Sequence, residues 1–497
     1  MKRRLLSILS LVGIAAAGHF IAWKMFDIPT QLEAAVFAGL ILAFPILRAP
    51  LVGVYAIFLI LPFIPFVRRL YYLVYARPSM DPLIMTGELI LILIFAALFF
   101  EFRQRRGENR AIAPYLQLVA GYFIYMALRV VFYNYTPIAQ AAARFKYYGP
   151  PVLLFFIGIY YAGHVKHLKR LWLITAVIGL AALLYGLKQL YIGYSTAETI
   201  WYNSVDFSTL AIGDIIRPYS LFTAPVAFAD YLQLAIIAVL MWSAWLSGPL
   251  SLYLLATLPL LFYGILITSV RSSWIGAVIS FVLWLTVVRV RRTGARIALV
   301  AALIAAYGAY ESFSGSRGST AGVRGFARGM GGMLGDEKYV ELLVDSRSSA
   351  ISDPLKEHSF QSRMRLWRQL IRFSREPVTG LMGRGLGALK ADSLYFTYLA
   401  EFGYPGLLLM LTVLTLFIMN GLRTIDHVEN REVVTLARGI TTMNLVFAVV
   451  SVTGTHIHYF PGDVYFWFWN GVLVKLSSKY AGARDEGKER REDTGDT

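Results

Sequence analysis

Apolar stretches recur along almost the whole chain, and this feature most constrains what the chain can fold into. A helix needs about 20 apolar residues to cross the hydrocarbon core of a bilayer. Of the 497 residues, 57% are hydrophobic, which is more than a soluble globular domain carries. The sequence therefore predicts an all-α, polytopic membrane protein with 12–14 transmembrane helices and one large, partly helical extracytoplasmic loop.

The apolar stretches divide the chain into four regions. Residues 1–310 hold predicted spans 1–11, residues 311–393 form a basic extracytoplasmic loop, and residues 394–478 hold the C-terminal spans. The charged segment 479–497 is expected to be a disordered cytoplasmic tail. The spans are predicted at 5–23, 32–47, 51–67, 83–102, 113–132, 147–163, 171–193, 225–246, 250–268, 274–288, 295–310, 394–419, 434–452 and 464–476.

Basic residues indicate how the chain is oriented and what it binds. The formal net charge is +17, and Lys and Arg concentrate in alternate short loops, which predicts that both termini are cytoplasmic. The long loop lies on the other side, yet its thirteen Lys or Arg outnumber its nine Asp or Glu. This distribution fits anionic partners such as lipid headgroups, and it argues against nucleic acid as a partner.

The residue types present also limit the chemistry. The chain has no cysteine, which excludes disulfides, thiolate metal sites and cysteine catalysis. It has neither an HExxH nor a DxD motif, and the predicted outer loops hold no tight carboxylate cluster. We therefore expect neither a metal nor another cofactor.

The stretch 362–410 joins a basic segment, a run of glycines and an apolar span. Five arginines, at positions 363, 365, 368, 372 and 375, crowd onto about three turns of predicted helix, where residues three or four apart share a face. Glycines follow at positions 380, 383, 385 and 387, with Arg384 among them. Because a glycine-rich backbone can approach a ligand closely, we expect its N–H groups to face one.

The order of residues in this stretch resembles the signature region of the O-antigen ligase/polymerase family. The members of that family are membrane glycosyltransferases that use undecaprenyl-diphosphate-linked glycans. Ligases of that family carry a His-Asn pair nine residues before the glutamate, where this chain has Asp392 and Ser393. This departure favours polymerisation over ligation. The positions that carry the resemblance are Arg365, Trp367, Pro377, Gly380, Gly385, Gly387, Tyr395, Leu399, Glu401, Gly403, Gly406 and Leu407.

The resemblance extends to two arginines beside predicted spans. Arg217 opens RPYSLFTAPVAFADYL, and Arg271 lies in ITSVRSSWIGAVISF, which is similar to the family's Thr-x-x-Arg, small, small motif. Arginines at these places bind the diphosphate in the family, so the resemblance implies that role for Arg217 and Arg271. An arginine fork matches phosphate oxygens bidentately and keeps its charge. The alternative is that both side chains anchor span ends at the lipid headgroups.

Asp392 occupies the position of the family's histidine and is the candidate base or acceptor-orienting group. Its alternative role is the N-cap of the next helix. His456 and His458 lie in an outer turn, where they either replace the missing histidine or have an interfacial role. Glu401 lies more than two turns into its span and is expected to be buried, hydrogen-bonded and structural. The residues expected to bind substrate are Arg363, Arg365, Arg384, His456 and His458.

These patterns lead to one function hypothesis and two alternatives. The chain is expected to be a glycosyltransferase of the bacterial inner membrane that polymerises undecaprenyl-diphosphate-linked repeat units at the extracytoplasmic face. Its partners would be the lipid-linked donor, a glycan acceptor, the bilayer and, as an open point, a chain-length regulator. One alternative is a ligase that moves glycan to lipid A core or to protein. The other is a flippase for lipid-linked glycans, although the sequence shows neither two related halves nor broken helices at mid-membrane.

Overall fold

The computed structural model describes residues 43–75, 83, 86–104, 111–132, 136–205, 210–212, 215–287, 358–388 and 391–493. Regular structure in these residues is helical, apart from one antiparallel pair of two-residue strands. Within them, seven helices are long and apolar enough to cross a membrane, which confirms the predicted all-α polytopic class. These are Pro50–Val74, Ala113–Val131, Val165–Tyr191, Pro225–Trp245, Pro249–Ile267, Leu394–His427 and Arg431–Val450.

The elements are numbered in chain order. The first half contains α1 (Pro50–Ile60), α2 (Ile64–Tyr75), α3 (Thr86–Gln104), α4 (Ala113–Val131), α5 (Ile138–Phe145), α6 (Leu153–Tyr161), α7 (Val165–Tyr191), α8 (Thr196–Ser204), β1 (Ala211–Ile212) and β2 (Ile215–Ile216). The second half contains α9 (Pro225–Trp245), α10 (Pro249–Ala256), α11 (Leu258–Ile267), α12 (Arg271–Val287), α13 (His358–Ser374), α14 (Pro377–Met382), α15 (Leu394–His427), α16 (Arg431–Val450) and α17 (Gly462–Asp493).

The chain divides into two compact units, of which the first comprises 1–110, 194–207 and 221–223. In this unit α1 packs against α3, and α2 packs against α8. The buried side chain of Arg69 on α2 forms an ion pair with Glu198 on α8, with an N···O distance of 3.8 Å, and donates to Phe222 O. Because an unpaired buried charge is costly, this pair ties α8 to α2.

In the second unit α9 is the central helix. It packs against α7, α11, α12 and α16. In its most apolar stretch, 89% of the residues are buried inside the protein. Its sequence is apolar all round, which is typical of a helix enclosed by others. Pro225 opens it, at a position where the missing N–H costs no helical hydrogen bond.

Contacts between helix ends define the two ends of this unit. The N–H of Leu394, the first residue of α15, donates to two carbonyls of the loop 451–461, which joins α16 to α17. We call the region around this loop the histidine end. At the opposite end, the Lys169 Nζ at the start of α7 lies 2.8 Å from Glu432 Oε1 at the start of α16.

Near the histidine end, α14 packs against a break in α15. Gly403, inside α15, has φ 70° and ψ −167°, and Gly383, just after α14, has φ 66° and ψ −168°. Only glycine commonly adopts this conformation. An ideal Cβ on Gly403 would lie 2.5 Å from Gly380 O, and one on Gly383 would lie 2.6 Å from Glu401 C. The two segments therefore lie backbone against backbone.

One prediction about the elements is wrong. The predicted span 147–163 is interrupted by the 3-10 turn Pro150–Val152, because proline lacks the N–H that would continue a helix, and the 9 residues of α6 are too few to cross a bilayer alone. Helix α17 runs as far as Asp493, in a run rich in good helix formers, and the disorder of the tail 479–497 stays a prediction. Predicted spans 5–23 and 295–310, most of 32–47, and the loop segment 311–357 lie outside the described residues.

We expect Gly403→Ala to lower the free energy of unfolding by about 2 kcal/mol or more, because alanine is strained at this φ and its Cβ would overlap Gly380 O. Gly121→Ala is the matched control. Gly121 lies within α4 with nothing within 4 Å of its ideal Cβ, so the change should be neutral or stabilise by up to about 1 kcal/mol. Thermal unfolding in a single detergent compares the variants. Equal stability would contradict the tight α14–α15 contact.

Candidate functional site

Arg217 lies at the histidine end, directly after β2. Its backbone N–H donates to Leu210 O at 2.8 Å. Its side chain is buried, and Nη1 lies 3.5 Å from Thr268 O and 3.4 Å from Ser269 O. Both carbonyls belong to the turn between α11 and α12, and Arg271 is the first residue of α12. The structure therefore places the two arginines predicted to bind a diphosphate at one turn.

The backbone around Arg217 is strained at two serines. Ser220 has φ 51° and Ser269 has φ 55°, a left-handed conformation that costs a non-glycine residue about 1–3 kcal/mol. Gln189 of α7 holds the first of these turns, because its Oε1 accepts the N–H groups of Tyr219 and Ser220 at 3.0 and 2.7 Å. Strain of this kind persists where the surroundings impose it, and it clusters at functional sites.

His456 and Asp230 form a buried hydrogen-bonded pair at the same end. His456 Nδ1 lies 2.9 Å from Asp230 Oδ1 and 2.8 Å from Oδ2. The side chains are only 1% and 4% exposed. Because the carboxylate accepts, Nδ1 carries the proton, and the lone pair of the neutral ring is at Nε2.

Ser273 connects this pair to the arginine turn. Its Oγ lies 3.4 Å from Asp230 Oδ1, and its backbone carbonyl accepts from Gln233 Nε2 at 2.9 Å. Ser273 lies in the first turn of α12, two residues after Arg271. The segment 268–273 therefore contacts Arg217 near its start and Asp230 at its end. We call these five residues, Arg217, Asp230, Arg271, Ser273 and His456, the arginine–histidine site.

The second ring nitrogen of His456 is buried against Gly454 of its own loop. Within the described part of the chain, His456 Nε2 and Gln233 Oε1 are buried without a hydrogen-bond partner. An ideal Cβ on Gly454 would lie 2.3 Å from His456 Nε2, so only a glycine lets the loop pack this closely against the ring. Since buried polar atoms nearly always have a partner, these two acceptors are candidates for a hydrogen bond from a ligand.

Glu401 lies at the histidine end in α15 and is fully buried and hydrogen-bonded, as the sequence predicts. Its Oε1 accepts from Arg144 Nε at 3.2 Å and from the Gly387 N–H at 3.1 Å. Its Oε2 accepts from the Tyr148 hydroxyl at 2.5 Å. A buried carboxylate is tolerated because both oxygens are bonded. Glu401 thereby ties α5, the glycine run and α15 together.

The prediction that the glycine-run N–H groups face a ligand is wrong. The N–H groups of Arg384 and Gly385 donate to Ala400 O at 2.7 Å and to Glu401 O at 3.1 Å, and that of Gly387 donates to the Glu401 side chain. The physical reason is the break in α15, which leaves the carbonyls before it without intrahelical partners. The glycine run supplies the missing donors.

The structure places Asp392, the predicted base, on the surface. Its side chain is 66% exposed and pairs with Arg363 of α13 at an N···O distance of 3.4 Å. The N-cap of α15 is Ser393, so the alternative assignment of Asp392 as the cap is wrong. Arg365 is exposed on α13, and Arg384 packs its guanidinium carbon 3.7 Å from the centroid of the Phe373 ring.

His458 is buried among aromatic rings near Arg144 and is not part of the arginine–histidine site. Its ring centroid lies 4.4 Å from that of Tyr148 and 5.2 Å from that of Tyr398. Burial, together with the Arg144 charge, lowers the pKa of His458 to about 3. His458 is therefore neutral at physiological pH and contributes to packing.

Comparison with known proteins adds no relative. No family model matches the chain, and no curated protein matches it significantly. No group of three or more His, Asp or Glu side chains that could hold a metal ion occurs among the described residues. The interpretation of the site therefore depends on its geometry and on the motifs in the sequence.

Sequence reasoning did not select Asp230, Ser273 or Arg144. Asp230 could have been identified from the sequence, because a carboxylate in the second turn of an apolar span is costly unless it is paired. Arg144 lies between two apolar stretches, where basic residues are ordinary, and nothing local distinguishes it. Ser273 gains its role from a contact with Asp230 that only the folded chain makes.

We expect acidification to destabilise the protein in part through His458. Its folded-state pKa is below the value of about 6.5 in an unfolded chain, so stability is lost as pH falls from about 6.5 towards 3. His458→Phe keeps a ring between Tyr148 and Tyr398 but cannot titrate. The variant should lose less thermal stability than wild type between about pH 7 and pH 5. The same change at the exposed His427 is the control for the substitution itself. Parallel slopes for wild type and His458→Phe would contradict this expectation.

Proposed function

We propose that this chain is a glycosyltransferase that acts on undecaprenyl-diphosphate-linked glycans at the extracytoplasmic face of the bacterial inner membrane. The observation that carries the proposal is the arginine–histidine site, where a buried histidine with an unpaired Nε2 is joined to a turn with two arginines. Glycosyl transfer from a diphosphate donor needs cations at the leaving group and a base at the acceptor hydroxyl. This site offers both.

Arg217 and Arg271 are the proposed ligands of the diphosphate. Arg271 opens α12, where the positive end of the helix dipole adds to its charge. Arg217 is held against the carbonyls of Thr268 and Ser269. Two guanidinium groups would stabilise the charge that develops as undecaprenyl diphosphate leaves.

His456 is the proposed general base. Its Nε2 takes the proton of the acceptor hydroxyl while the hydroxyl oxygen forms a bond to the anomeric carbon of the donor sugar. The bond from that carbon to the diphosphate oxygen breaks, and the leaving diphosphate keeps the electron pair. Asp230 holds Nδ1–H and stabilises the imidazolium. Solvent then removes the proton, and the displacement inverts the anomeric carbon.

This proposal assigns the base to His456 instead of Asp392, because His456 is buried with no hydrogen-bond partner at Nε2, whereas Asp392 is exposed and paired with Arg363. Arg363, Arg365 and Arg384 remain proposed substrate contacts, and Asp392 keeps its alternative role as a group that orients the acceptor. We favour polymerisation over ligation because Asp392 and Ser393 stand where the family's ligases have His-Asn. A flippase, the alternative from another class, needs no base.

We expect Arg217→Lys and Arg271→Lys each to lower glycan output by at least about tenfold, because lysine keeps the charge but loses the bidentate fork. Arg431→Lys is the matched control. Arg431 lies at the opposite end, where its guanidinium also donates to a backbone carbonyl, that of Ala244, at 2.9 Å. The measurement is gel analysis of surface glycans from cells that lack the gene and carry each variant at equal membrane levels. Normal glycans from both site variants would contradict the assignment of Arg217 and Arg271 as ligands of the diphosphate.

We expect His456→Asn to lower glycosyl transfer by about 10²–10⁴-fold, the range that a general base contributes, and Asp230→Asn to lower it by a smaller factor. His427→Asn, at the exposed histidine of the opposite end, should have no effect.

The same gels distinguish the alternatives. Single repeat units on the carrier or core indicate a lost polymerase, and full-length chains left on undecaprenyl diphosphate indicate a lost ligase. Loss of product in Asp392→Ala with normal product in His456→Asn would return the role of base to Asp392. Unchanged glycans in every variant would favour the flippase.

A further inference from the structure

Arg144 lies at the histidine end with its guanidinium among three tyrosine rings. The guanidinium carbon lies 5.8 Å from the centroid of Tyr147, 5.6 Å from that of Tyr148 and 6.0 Å from that of Tyr459. Its Nη1 donates to the Tyr459 hydroxyl at 2.7 Å. Its Nε is bound to the buried carboxylate of Glu401, so the orientation of the guanidinium is set from inside the protein.

Two of these rings are open to the surroundings. Tyr459 is 40% exposed and Tyr147 is partly exposed, whereas Tyr148 is buried. The Tyr147 and Tyr459 rings lie with centroids 5.0 Å apart and planes inclined by 60°. Both residues fall outside the candidate membrane spans. We call Tyr147, Tyr459 and Arg144 the tyrosine platform.

We propose that the tyrosine platform binds a sugar ring of the acceptor glycan. This inference rests on the proposed function and defines a substrate subsite for it. One face of a pyranose ring presents C–H groups, which pack on aromatic rings, and its edge presents hydroxyls, which accept from N–H donors. The bonds of Arg144 to Glu401, Tyr459 and Tyr148 engage three of its guanidinium N–H groups and leave two to a ligand.

The electrostatics of the platform favour a sugar over a diphosphate. The charge of Arg144 is balanced by Glu401 in direct contact, so it attracts an anion less than Arg217 or Arg271 would. The arrangement also differs from an aromatic belt, in which single tyrosines turn their hydroxyls to the membrane interface. Here the Tyr459 hydroxyl is bound by Arg144, and the Tyr459 ring packs against Tyr147.

The platform lies within reach of the proposed base. Tyr459 follows His456 by three residues in the loop 451–461, and three residues separate Cα atoms by at most about 11 Å. The loop is not extended at this point, since the His458 N–H donates to Thr455 O at 3.0 Å. In the proposed arrangement one oligosaccharide contacts the platform while its terminal hydroxyl approaches His456 Nε2.

The test compares Tyr459→Ala and Tyr147→Ala with Tyr459→Phe, which keeps the ring and loses the hydroxyl. Tyr253→Ala, at a 71% exposed tyrosine of α10, is the matched control. The first measurement is the length distribution of surface glycans at equal membrane levels. The second is saturation-transfer NMR of the purified full chain in detergent, with oligosaccharide released from the surface polysaccharide of the same cells as the probe.

We expect the two alanine variants to make shorter glycans and to bind the probe about tenfold more weakly, whereas Tyr253→Ala keeps the wild-type pattern. Tyr459→Phe should lie between Tyr459→Ala and wild type, because it keeps the ring but loses the bond to Arg144. Wild-type length and binding in both alanine variants would overturn the platform, and the proposed function would survive if Arg217→Lys still lost product. Normal product from Arg217→Lys and His456→Asn would instead overturn the proposed function, and weaker probe binding by Tyr459→Ala would then show a sugar site without transfer.

Discussion

The burial of the Glu401 carboxylate is the interaction on which the histidine end depends. A charge in the first turns of a membrane helix is costly unless every oxygen is bonded, and Glu401 meets this condition with Arg144, Tyr148 and the N–H of Gly387. Its backbone carbonyl, left without a helical partner by the break in α15, accepts from Arg129 Nη2 at 3.2 Å. Removal of one partner would leave an uncompensated buried charge. The ends of α4, α5 and α14 are thereby held against α15.

The same requirement shapes the arginine–histidine site. Asp230 lies in the central helix α9, where it is satisfied by His456 Nδ1 and Ser273 Oγ. Once the carboxylate has fixed one ring nitrogen, the other is left beside Gly454 without a hydrogen-bond partner. A pairing that makes a buried acid tolerable therefore also leaves a basic nitrogen available. The hydrogen bond between Asp230 and His456 Nδ1 therefore has both a structural and a chemical consequence.

The loop 451–461 links the two polar clusters. It carries His456, which bonds to Asp230, and Tyr459, whose hydroxyl is bound by Arg144. Its backbone also anchors α15, because the Leu394 N–H donates to the carbonyls of Ser451 and Gly454. A displacement of this loop would therefore affect the base, the tyrosine platform and the start of α15 together.

The membrane class, the approximate span positions and the burial of Glu401 could be predicted because each depends on local hydropathy and on the cost of a charge in a span. The glycine run was misinterpreted for a physical reason. Glycines that approach a ligand and glycines that approach another backbone look alike in sequence, and the break at Gly403 that uses their N–H groups is visible only in three dimensions. Asp392 was assigned by position in a motif, whereas its exposure depends on how α13 packs.

By itself, therefore, the sequence determined a helical membrane protein with arginines and histidines near span ends on one predicted side. Only the tertiary structure decided which of them meet. His456 and Asp230 are 226 positions apart, and no pattern in either segment identifies the other as its partner. Hydropathy is a property of neighbouring residues, but which nitrogen of a histidine keeps its lone pair depends on the side chain that folding brings against the ring.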